Sequence, residues 1–329
     1  MEHPIILKLN NGNNTLSTTS QFMDYHPLFE FGFNQRVFSA NNLFLTSFVN
    51  KFAGKKKVYM VFHKYDYEID NYENNLKKIV GKSDENYYII YELMHFFDNL
   101  QDKLTFTFIG ENTNEHKNAV QDYRKNKNDT FINKFSETDF FILNSDVSPT
   151  ELNLKENNAF EFIFDNVIKG LKILKRKGNM IIKIYDTYTL KTISLITFLT
   201  TLFDEVFIVK PLASNLIDVD KYVICKYYNN KFDNYKNYEL SPNLKIQFRT
   251  FNTLVGNLQY KTFNDAYNYI ASEIYFGDVY NEKNKEQIEG TLLWLKTYWH
   301  KNNFPQMLEK SLNFMNEKIK EMENKIIFY

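Results

Sequence analysis

Strand-like and helix-like patterns alternate between residues 139 and 228, and this alternation constrains the fold more than any other feature of the chain. The strand patterns Asp139–Asp146 and Met180–Tyr185 are separated by a long stretch with apolar residues at helical spacing. A second helical pattern, Tyr188–Phe203, leads to a third strand pattern, Glu205–Lys210. Because strands that alternate with helices usually pair in parallel, the sequence predicts an open α/β sheet.

The last strand pattern, Tyr222–Tyr228, lies close behind Glu205–Lys210. The loop between them has no room for a crossover helix, so the two strands must be antiparallel. A mostly parallel sheet that ends in one antiparallel hairpin is typical of a Rossmann-like methyltransferase fold, and we predict this fold for residues 31–232. Residues 1–30 are predicted to form an N-terminal extension. Residues 233–329 are predicted to form a helical C-terminal extension whose apolar stripe docks on the parent domain.

The patterns are weaker in the N-terminal half. Val58–His63 and Leu104–Ile109 are predicted strands, and Tyr87–Leu100 is a predicted helix. We assign Val58–Phe62 as the first strand of the sheet. Asn112–Asp129 is charged and rich in Asn, and we assign it as a connection without regular structure.

Two smaller predictions concern a helix end and a pair of tryptophans. The helix that follows Asp146 is expected to end at Lys175–Gly178, because cations suit the C-terminal dipole and glycine commonly caps a helix. Trp294 and Trp299 lie five positions apart in an amphipathic pattern, and we interpret them as packing residues.

Composition excludes several classes of protein. Forty Lys and Arg against forty Asp and Glu give zero formal charge, which argues against a wholly basic nucleic-acid-binding protein. The single cysteine, Cys225, excludes a disulfide scaffold and fits a reducing compartment, so we expect a cytosolic protein. Histidines at ligand spacing are absent and no apolar run is long enough to cross a bilayer, so we expect neither a metal site nor membrane attachment.

Three motifs carry a more specific signal. They are the strand Phe140–Asp146, the segment Gly178–Lys183, and the loop Val209–Asn215 that leads to Asp220 and the last strand. In order and spacing these motifs resemble the FtsJ/RrmJ family of RNA 2′-O-methyltransferases, including viral cap-modifying members. The resemblance covers about residues 139 to 228.

The resemblance implies a catalytic tetrad of Lys, Asp, Lys and Glu that deprotonates a ribose 2′-hydroxyl held in line with a sulfonium methyl group. By position, Asp146 matches the family Asp, and Lys183 matches the central Lys. Asp220 stands where the Glu belongs and is one methylene shorter. The remaining Lys belongs in a phrase that here corresponds to Asn34–Ala40, which places Ser39 at its position and leaves that charge missing.

The family binds S-adenosylmethionine through a glycine-rich turn after the first strand, where the backbone approaches the cofactor closely. The predicted first strand of this chain runs instead into residues 63–68, which contain three aromatic rings and no glycine. Because these side chains would fill the volume of the cofactor, we expect no bound cofactor.

The leading interpretation is a non-catalytic methyltransferase-fold subunit of a viral-type mRNA-capping complex. Such a subunit would bind and activate a larger catalytic methyltransferase partner, with capped RNA as a second partner, and Asp146, Lys183 and Asp220 would be vestigial. It would resemble in this respect the small subunit of the poxvirus mRNA-capping enzyme. One alternative is an active S-adenosylmethionine-dependent mRNA cap 2′-O-methyltransferase that uses the same three residues. A second alternative is an RNA-binding processivity subunit of a polymerase.

Overall fold

The computed structural model describes residues 5–9, 80–82, 84–98, 100–125, 127–145, 155–214, 219–229, 232–236, 241–272, 290, 293–299, 313 and 317, without the side chains of residues 260 and 262–272. In this part of the chain, seven strands form one sheet. The strands are β1 (Ile5–Leu9), β2 (Thr105–Gly110), β3 (Thr130–Ile132), β4 (Thr138–Asn144), β5 (Leu174–Ile184), β6 (Phe203–Lys210) and β7 (Lys221–Tyr228). The helices are α1 (Glu85–Met94), α2 (Thr113–Arg124), α3 (Lys155–Ile173), α4 (Leu190–Leu202) and α5 (Pro242–Ser272), and a π-helical segment follows at Leu295–Trp299.

The strand order is β1-β6-β7-β5-β4-β2-β3. Strands β3, β2, β4 and β5 are parallel to one another, whereas β7 is antiparallel to both β5 and β6. The predicted Rossmann-like methyltransferase fold is therefore confirmed, as is the antiparallel pairing of β6 with β7. The sheet does not end at this hairpin, because β1, from the predicted N-terminal extension, pairs antiparallel with β6 and forms the edge.

The direction of chain winding reverses between β2 and β4. From β2 the chain passes through α2 to the edge strand β3, and it then returns to the other side of β2 as β4. In open α/β sheets, ligands bind in the crevice at the carboxyl ends of the strands where this reversal occurs. The predicted first strand, Val58–Phe62, lies outside the described residues, and β2 holds the position beside β4. The turn beside β4 is therefore the one after Gly110, and residues 63–68, which were expected to fill the cofactor volume, lie outside the described residues.

Two local predictions were also wrong. The supposed connection Asn112–Asp129 contains α2, which buries Ala119 and Val120 against the sheet but carries few other apolar residues. Gly178 does not cap α3, because that helix ends at Ile173 and the chain continues directly into β5. Glycine is needed there for a different reason, since a Cβ atom would lie 2.9 Å from the carbonyl oxygen of Asp139.

Helices cover both faces of the sheet. One face is packed by α3, α4 and the first half of α5, and the other by α1, α2 and the π-helical segment. Helix α5 begins at Pro242, and proline suits the first turn of a helix. Its buried side chains pack into the hydrophobic core on this face of the sheet; they are Leu244, Phe248, Phe251 and Val255.

A fully buried carboxylate, Glu92 of α1, joins the second face to the loop between β6 and β7. It accepts hydrogen bonds from the main-chain N–H groups of Leu212 (2.7 Å) and Ala213 (2.9 Å). It also accepts from Trp294 Nε1 and the Tyr298 hydroxyl, each at 3.2 Å. The predicted packing role of Trp294 is confirmed, because its side chain is completely buried. Among the helices of the described segments, none is long and apolar enough to cross a membrane.

Candidate functional site at the carboxyl edge of the sheet

Lys183 and Asp220 form an ion pair at the carboxyl edge of the sheet, with 2.9 Å between Lys183 Nζ and Asp220 Oδ2. Strand pairing brings them together, because Lys183 of β5 lies opposite Tyr222 of β7. Asp220 stands two residues before Tyr222 and therefore shares its face as a diagonal neighbour of Lys183. Two of the three predicted site residues are thus in direct contact, whereas Asp146 lies outside the described residues.

The ion pair is largely shielded from water, with side-chain exposures of 11% for Lys183 and 18% for Asp220. Burial alone would lower the pKa of the Lys183 ammonium, but the neighbouring Tyr222 and Asp220 outweigh it and the net shift is upward. Burial alone would raise the pKa of Asp220, but Lys183, Lys155 and Lys210 outweigh it and hold the pKa below its usual value. Both groups are therefore charged at neutral pH.

Hydrogen bonds between strand ends fix the main chain around this pair. Ser145, directly after β4, donates through Oγ to the carbonyl oxygen of Lys183 at 3.2 Å. Tyr185 donates its hydroxyl to the carbonyl oxygen of Ser145 at 2.8 Å. Beside them, Lys221 and Asp186 form a second buried ion pair at 2.6 Å, which ties the start of β7 to the end of β5. The edge is thus a rigid support for the Lys183 and Asp220 side chains.

Two further lysines approach the pair, and the sequence did not assign either of them to the site. Lys210 at the end of β6 is 1% exposed, and its Nζ donates to the main-chain oxygen of Asp220 at 3.0 Å. Its place in the third motif was the signal that could have found it. Lys155 opens α3, and its Nζ lies 5.6 Å from the centre of the Tyr185 ring. No local sequence pattern marked Lys155.

The crevice between β2 and β4 opens beside this edge. Gly110 has φ +107°, and a Cβ atom there would lie 1.7 Å from the carbonyl oxygen of Asn144. Only glycine permits this close approach of the two strand ends. The Asn144 side chain donates through Nδ2 to the carbonyl oxygen of Glu111 at 3.0 Å, while its buried Oδ1 has no hydrogen-bond partner among the described residues.

His116, in the first turns of α2, is a second buried polar group at this place. It is 1% exposed, and neither ring nitrogen has a hydrogen-bond partner within the described ranges. Burial, with a smaller contribution from the charge of Lys183, lowers the pKa of His116 to about 3, so the ring is neutral. Buried polar atoms are normally hydrogen-bonded, so the unpartnered atoms of His116 and Asn144 fit a crevice that takes a polar ligand.

Comparisons with known proteins were consistent with one another. No family model matches the chain. An uncharacterised protein of Acanthamoeba polyphaga mimivirus is 24% identical over 254 residues, which cover 71% of each chain. Cap-specific mRNA (nucleoside-2′-O-)-methyltransferase 1 of Bos taurus is 26% identical over 136 residues, and methyltransferase 2 of Drosophila melanogaster is 33% identical over 75 residues. The chain is a relative of the cap 2′-O-methyltransferases.

This relationship confirms the resemblance inferred from the three motifs, but it covers a limited part of the animal enzymes. The matched segment is 41% of this chain and 15% of the Bos taurus protein, and 23% of this chain and 11% of the Drosophila melanogaster protein. Among solved structures, a ribosomal RNA methyltransferase of Plasmodium falciparum gives a TM-score of 0.38 at 16% identity, covering 44% of this chain and 97% of the other. The fold assignment above rests on strand order and not on this score.

A metal centre has no support in the described segments, where no three His, Cys, Asp or Glu side chains are grouped as metal ligands would be. Ser39 and residues 63–68, which entered the sequence-based expectations, lie outside the described residues.

Proposed function

We propose that this chain is an S-adenosylmethionine-dependent RNA 2′-O-methyltransferase that acts on capped mRNA. The observation that carries the proposal is the Lys183–Asp220 ion pair beside the winding reversal of the sheet, in a chain related to cap-specific 2′-O-methyltransferases. The turn beside β4 begins with Gly110, which supports a cofactor in the crevice at this place.

The cofactor would be held by the turn that follows Gly110, together with the side chains of Asn144 and His116. Their buried unpartnered atoms offer hydrogen bonds, and a neutral His116 offers both a donor and an acceptor. When bound, S-adenosylmethionine supplies an electrophilic methyl group on a sulfonium.

The ion pair suits a ribose hydroxyl as the acceptor of that group. Lys183 keeps its proton at neutral pH, so its Nζ donates a hydrogen bond to the 2′-oxygen and stabilises negative charge that develops there. Asp220 Oδ1 is buried and has no hydrogen-bond partner among the described residues, so it accepts a hydrogen bond from the same hydroxyl and takes its proton as the 2′-oxygen is methylated. The two side chains together fix the direction of the attacking lone pair.

The surrounding charge suits RNA. The carboxylate of Asp220 is faced by three ammonium groups, those of Lys183, Lys155 and Lys210, which exceed its single negative charge although the whole chain is neutral. Ammonium groups in excess at this point favour a ligand that carries phosphates.

A second candidate is the non-catalytic subunit that binds and activates a larger capping-enzyme or cap-methyltransferase subunit. The raised pKa of Lys183 favours it, because a permanently charged ammonium cannot take a proton from the ribose hydroxyl as a general base. The short Asp220 side chain and the Ser39 substitution point the same way. The relationship to a mimivirus protein and the free thiol of Cys225 support a host cytoplasm or a virion as the location in either case.

The two candidates are separated by one assay. The purified chain is incubated with methyl-labelled S-adenosylmethionine and with capped or uncapped RNA, and the RNA is digested to nucleosides. The proposal predicts label in a 2′-O-methylated nucleoside next to the cap. Absence of label, together with stimulation of a larger capping subunit by the chain, would replace the proposal with the second candidate. RNA affinity with neither effect would favour a processivity subunit.

A further inference from the structure

Two lysine ammonium groups lie against the same aromatic ring at the carboxyl edge. Lys155 Nζ is 5.6 Å from the centre of the Tyr185 ring, and Lys183 Nζ is 5.7 Å from it. The ring itself is fixed, because Tyr185 is 2% exposed and its hydroxyl donates to the carbonyl oxygen of Ser145 at 2.8 Å. Cations at this distance from an aromatic face are attracted by the ring quadrupole.

The main chain at Lys155 is held by its neighbour. Glu156 is buried, and its carboxylate accepts hydrogen bonds from the N–H groups of Tyr188 (3.2 Å) and Thr189 (3.0 Å) and from the Thr189 hydroxyl (2.8 Å). These contacts join the start of α3 to the loop that follows β5. Lys155 is therefore kept above the end of the strand that carries Lys183.

The location of Lys155 is unfavourable for the helix alone. A cation in the first turn meets the positive end of the helix dipole, where carboxylates are preferred. The local stability of α3 therefore does not explain a lysine at this position, whereas the carboxylate of Asp220 does.

Asp220 is the group through which Lys155 acts. It is faced by charged or titratable side chains from four elements or their ends: Lys183 from β5, Lys210 from β6, Tyr222 from β7 and Lys155 from α3. Lys183 occupies Oδ2, and Lys210 donates to the main-chain oxygen. Asp220 Oδ1 has no hydrogen-bond partner in the described part of the chain.

We propose that Lys155 is the second ammonium of this site and positions Asp220 and Lys183 for the ribose hydroxyl. The inference rests on the proposed function and supplies, from the start of α3, the charge that is missing at Ser39. Lys155 is a positioning residue, because its ammonium group lies against the Tyr185 ring and acts on Asp220 through its positive charge. By adding a positive charge, it keeps Asp220 ionised and turns its free oxygen toward the substrate.

The test compares Lys155→Ala and Lys155→Arg with a matched control on the same helix. Lys169→Ala removes a lysine whose Nζ also lies over an aromatic ring, that of Phe135 at 5.9 Å, at the far end of α3. We expect Lys155→Ala to lower kcat for methyl transfer about tenfold or more with a smaller change in KM. We expect Lys155→Arg to restore most of that loss, and Lys169→Ala to match the unchanged protein.

A second readout does not depend on activity. The carboxyl carbon of Asp220 is titrated by NMR in the resting protein, where Lys155→Ala should raise the pKa of Asp220 by about half a unit or more, and Lys169→Ala should not. An unmoved Asp220 pKa, or transfer by Lys155→Ala equal to that of Lys169→Ala, would overturn the inference. An upward shift of Asp220 in a chain that transfers no methyl group would support the contact with Lys155 and overturn the proposed function instead.

Discussion

Two buried carboxylates flank the loop between β6 and β7, and they are surrounded in opposite ways. Glu92 binds the start of the loop and has its oxygens fully occupied by four uncharged donors. Asp220 ends the loop, has one oxygen paired with Lys183, and is faced by more positive charge than it can neutralise. The first arrangement satisfies every carboxylate oxygen, whereas the second leaves Asp220 Oδ1 without a hydrogen-bond partner among the described residues.

The pKa values of the two groups follow the same division. Burial raises the pKa of Glu92 to about 7, although its four donors act in the opposite direction. Lysines hold the pKa of Asp220 below its usual value despite its burial. Substitutions around Glu92 should therefore cost stability and spare chemistry, whereas substitutions around Asp220 should lower kcat per folded molecule.

The largest effect is expected for Lys183→Met. Loss of the ammonium should lower kcat for methyl transfer by about 10²–10⁴-fold, because the 2′-oxygen loses the donor that stabilises its developing charge. The free energy of unfolding should fall by about 3 kcal/mol, because the mostly buried Asp220 carboxylate loses its ion-pair partner, so kcat is compared per folded molecule. Steady-state transfer to capped RNA and urea unfolding measure the two quantities.

Lys226→Met is the matched control for that substitution, because Lys226 of β7 is also mostly shielded and is paired with Glu205 at 2.9 Å, away from the crevice. It should leave kcat unchanged. Full activity of Lys183→Met would remove the distinction between the two carboxylate regions.

Gly110→Ala tests whether the crevice depends on the close approach of β2 and β4. The added Cβ would lie 1.7 Å from the oxygen of Asn144, at a positive φ, so we expect a loss of about 3 kcal/mol or more in the free energy of unfolding. Gly81→Ala shares the positive φ but meets no atom within 4 Å, and it should cost about 1 kcal/mol. Equal costs in denaturant titrations would show that the close approach is not a constraint.

Glu92→Gln tests the carboxylate that accepts four hydrogen bonds from within the protein. The amide nitrogen would face donors in place of an acceptor, so unfolding should become easier by about 2–3 kcal/mol while kcat per folded molecule stays the same. Glu205→Gln, which changes a partly exposed carboxylate with lysine partners, should cost at most about 1 kcal/mol. A loss of kcat in folded Glu92→Gln would show that the surroundings of Glu92 also contribute to catalysis, and it would contradict the division between the two regions.

The smallest effect near neutral pH is expected for His116→Asn. The folded pKa of His116, about 3, is below the unfolded value, so its contribution to stability is present above about pH 6.5 and is lost as the pH falls. In the unchanged protein, protonation of His116 on unfolding should lower the free energy of unfolding by about 2 kcal/mol between pH 7 and pH 5. Unfolding measured at the two pH values should show that this decrease is absent from His116→Asn. An identical pH dependence in both proteins would contradict a neutral buried His116.

The sheet from β4 to β7 could be predicted because each of its strands and helices has a clear hydrophobic period. The same patterns placed Lys183 at a strand end and Asp220 before the hairpin, so their contact followed from antiparallel pairing. Strand order in the N-terminal half could not be read in this way, because periodicity does not reveal which strand lies beside β4. Helix α2 was missed because most of its residues are polar and only one side is buried.

Local sequence patterns could not identify residues whose role depends on partners far away along the chain. Glu92 finds its donors more than a hundred positions away along the chain. His116 and Lys155 lie in helices whose starting points the sequence did not mark, so neither could be assigned to the site before the fold was known.

Calorimetric titration of the folded chain with S-adenosylhomocysteine tests the central claim most directly. The account predicts saturable heat for a single site, with binding lost in Gly110→Ala and kept in Gly81→Ala. A folded chain that releases no heat with S-adenosylhomocysteine or S-adenosylmethionine, alone and in the presence of capped RNA, would contradict it.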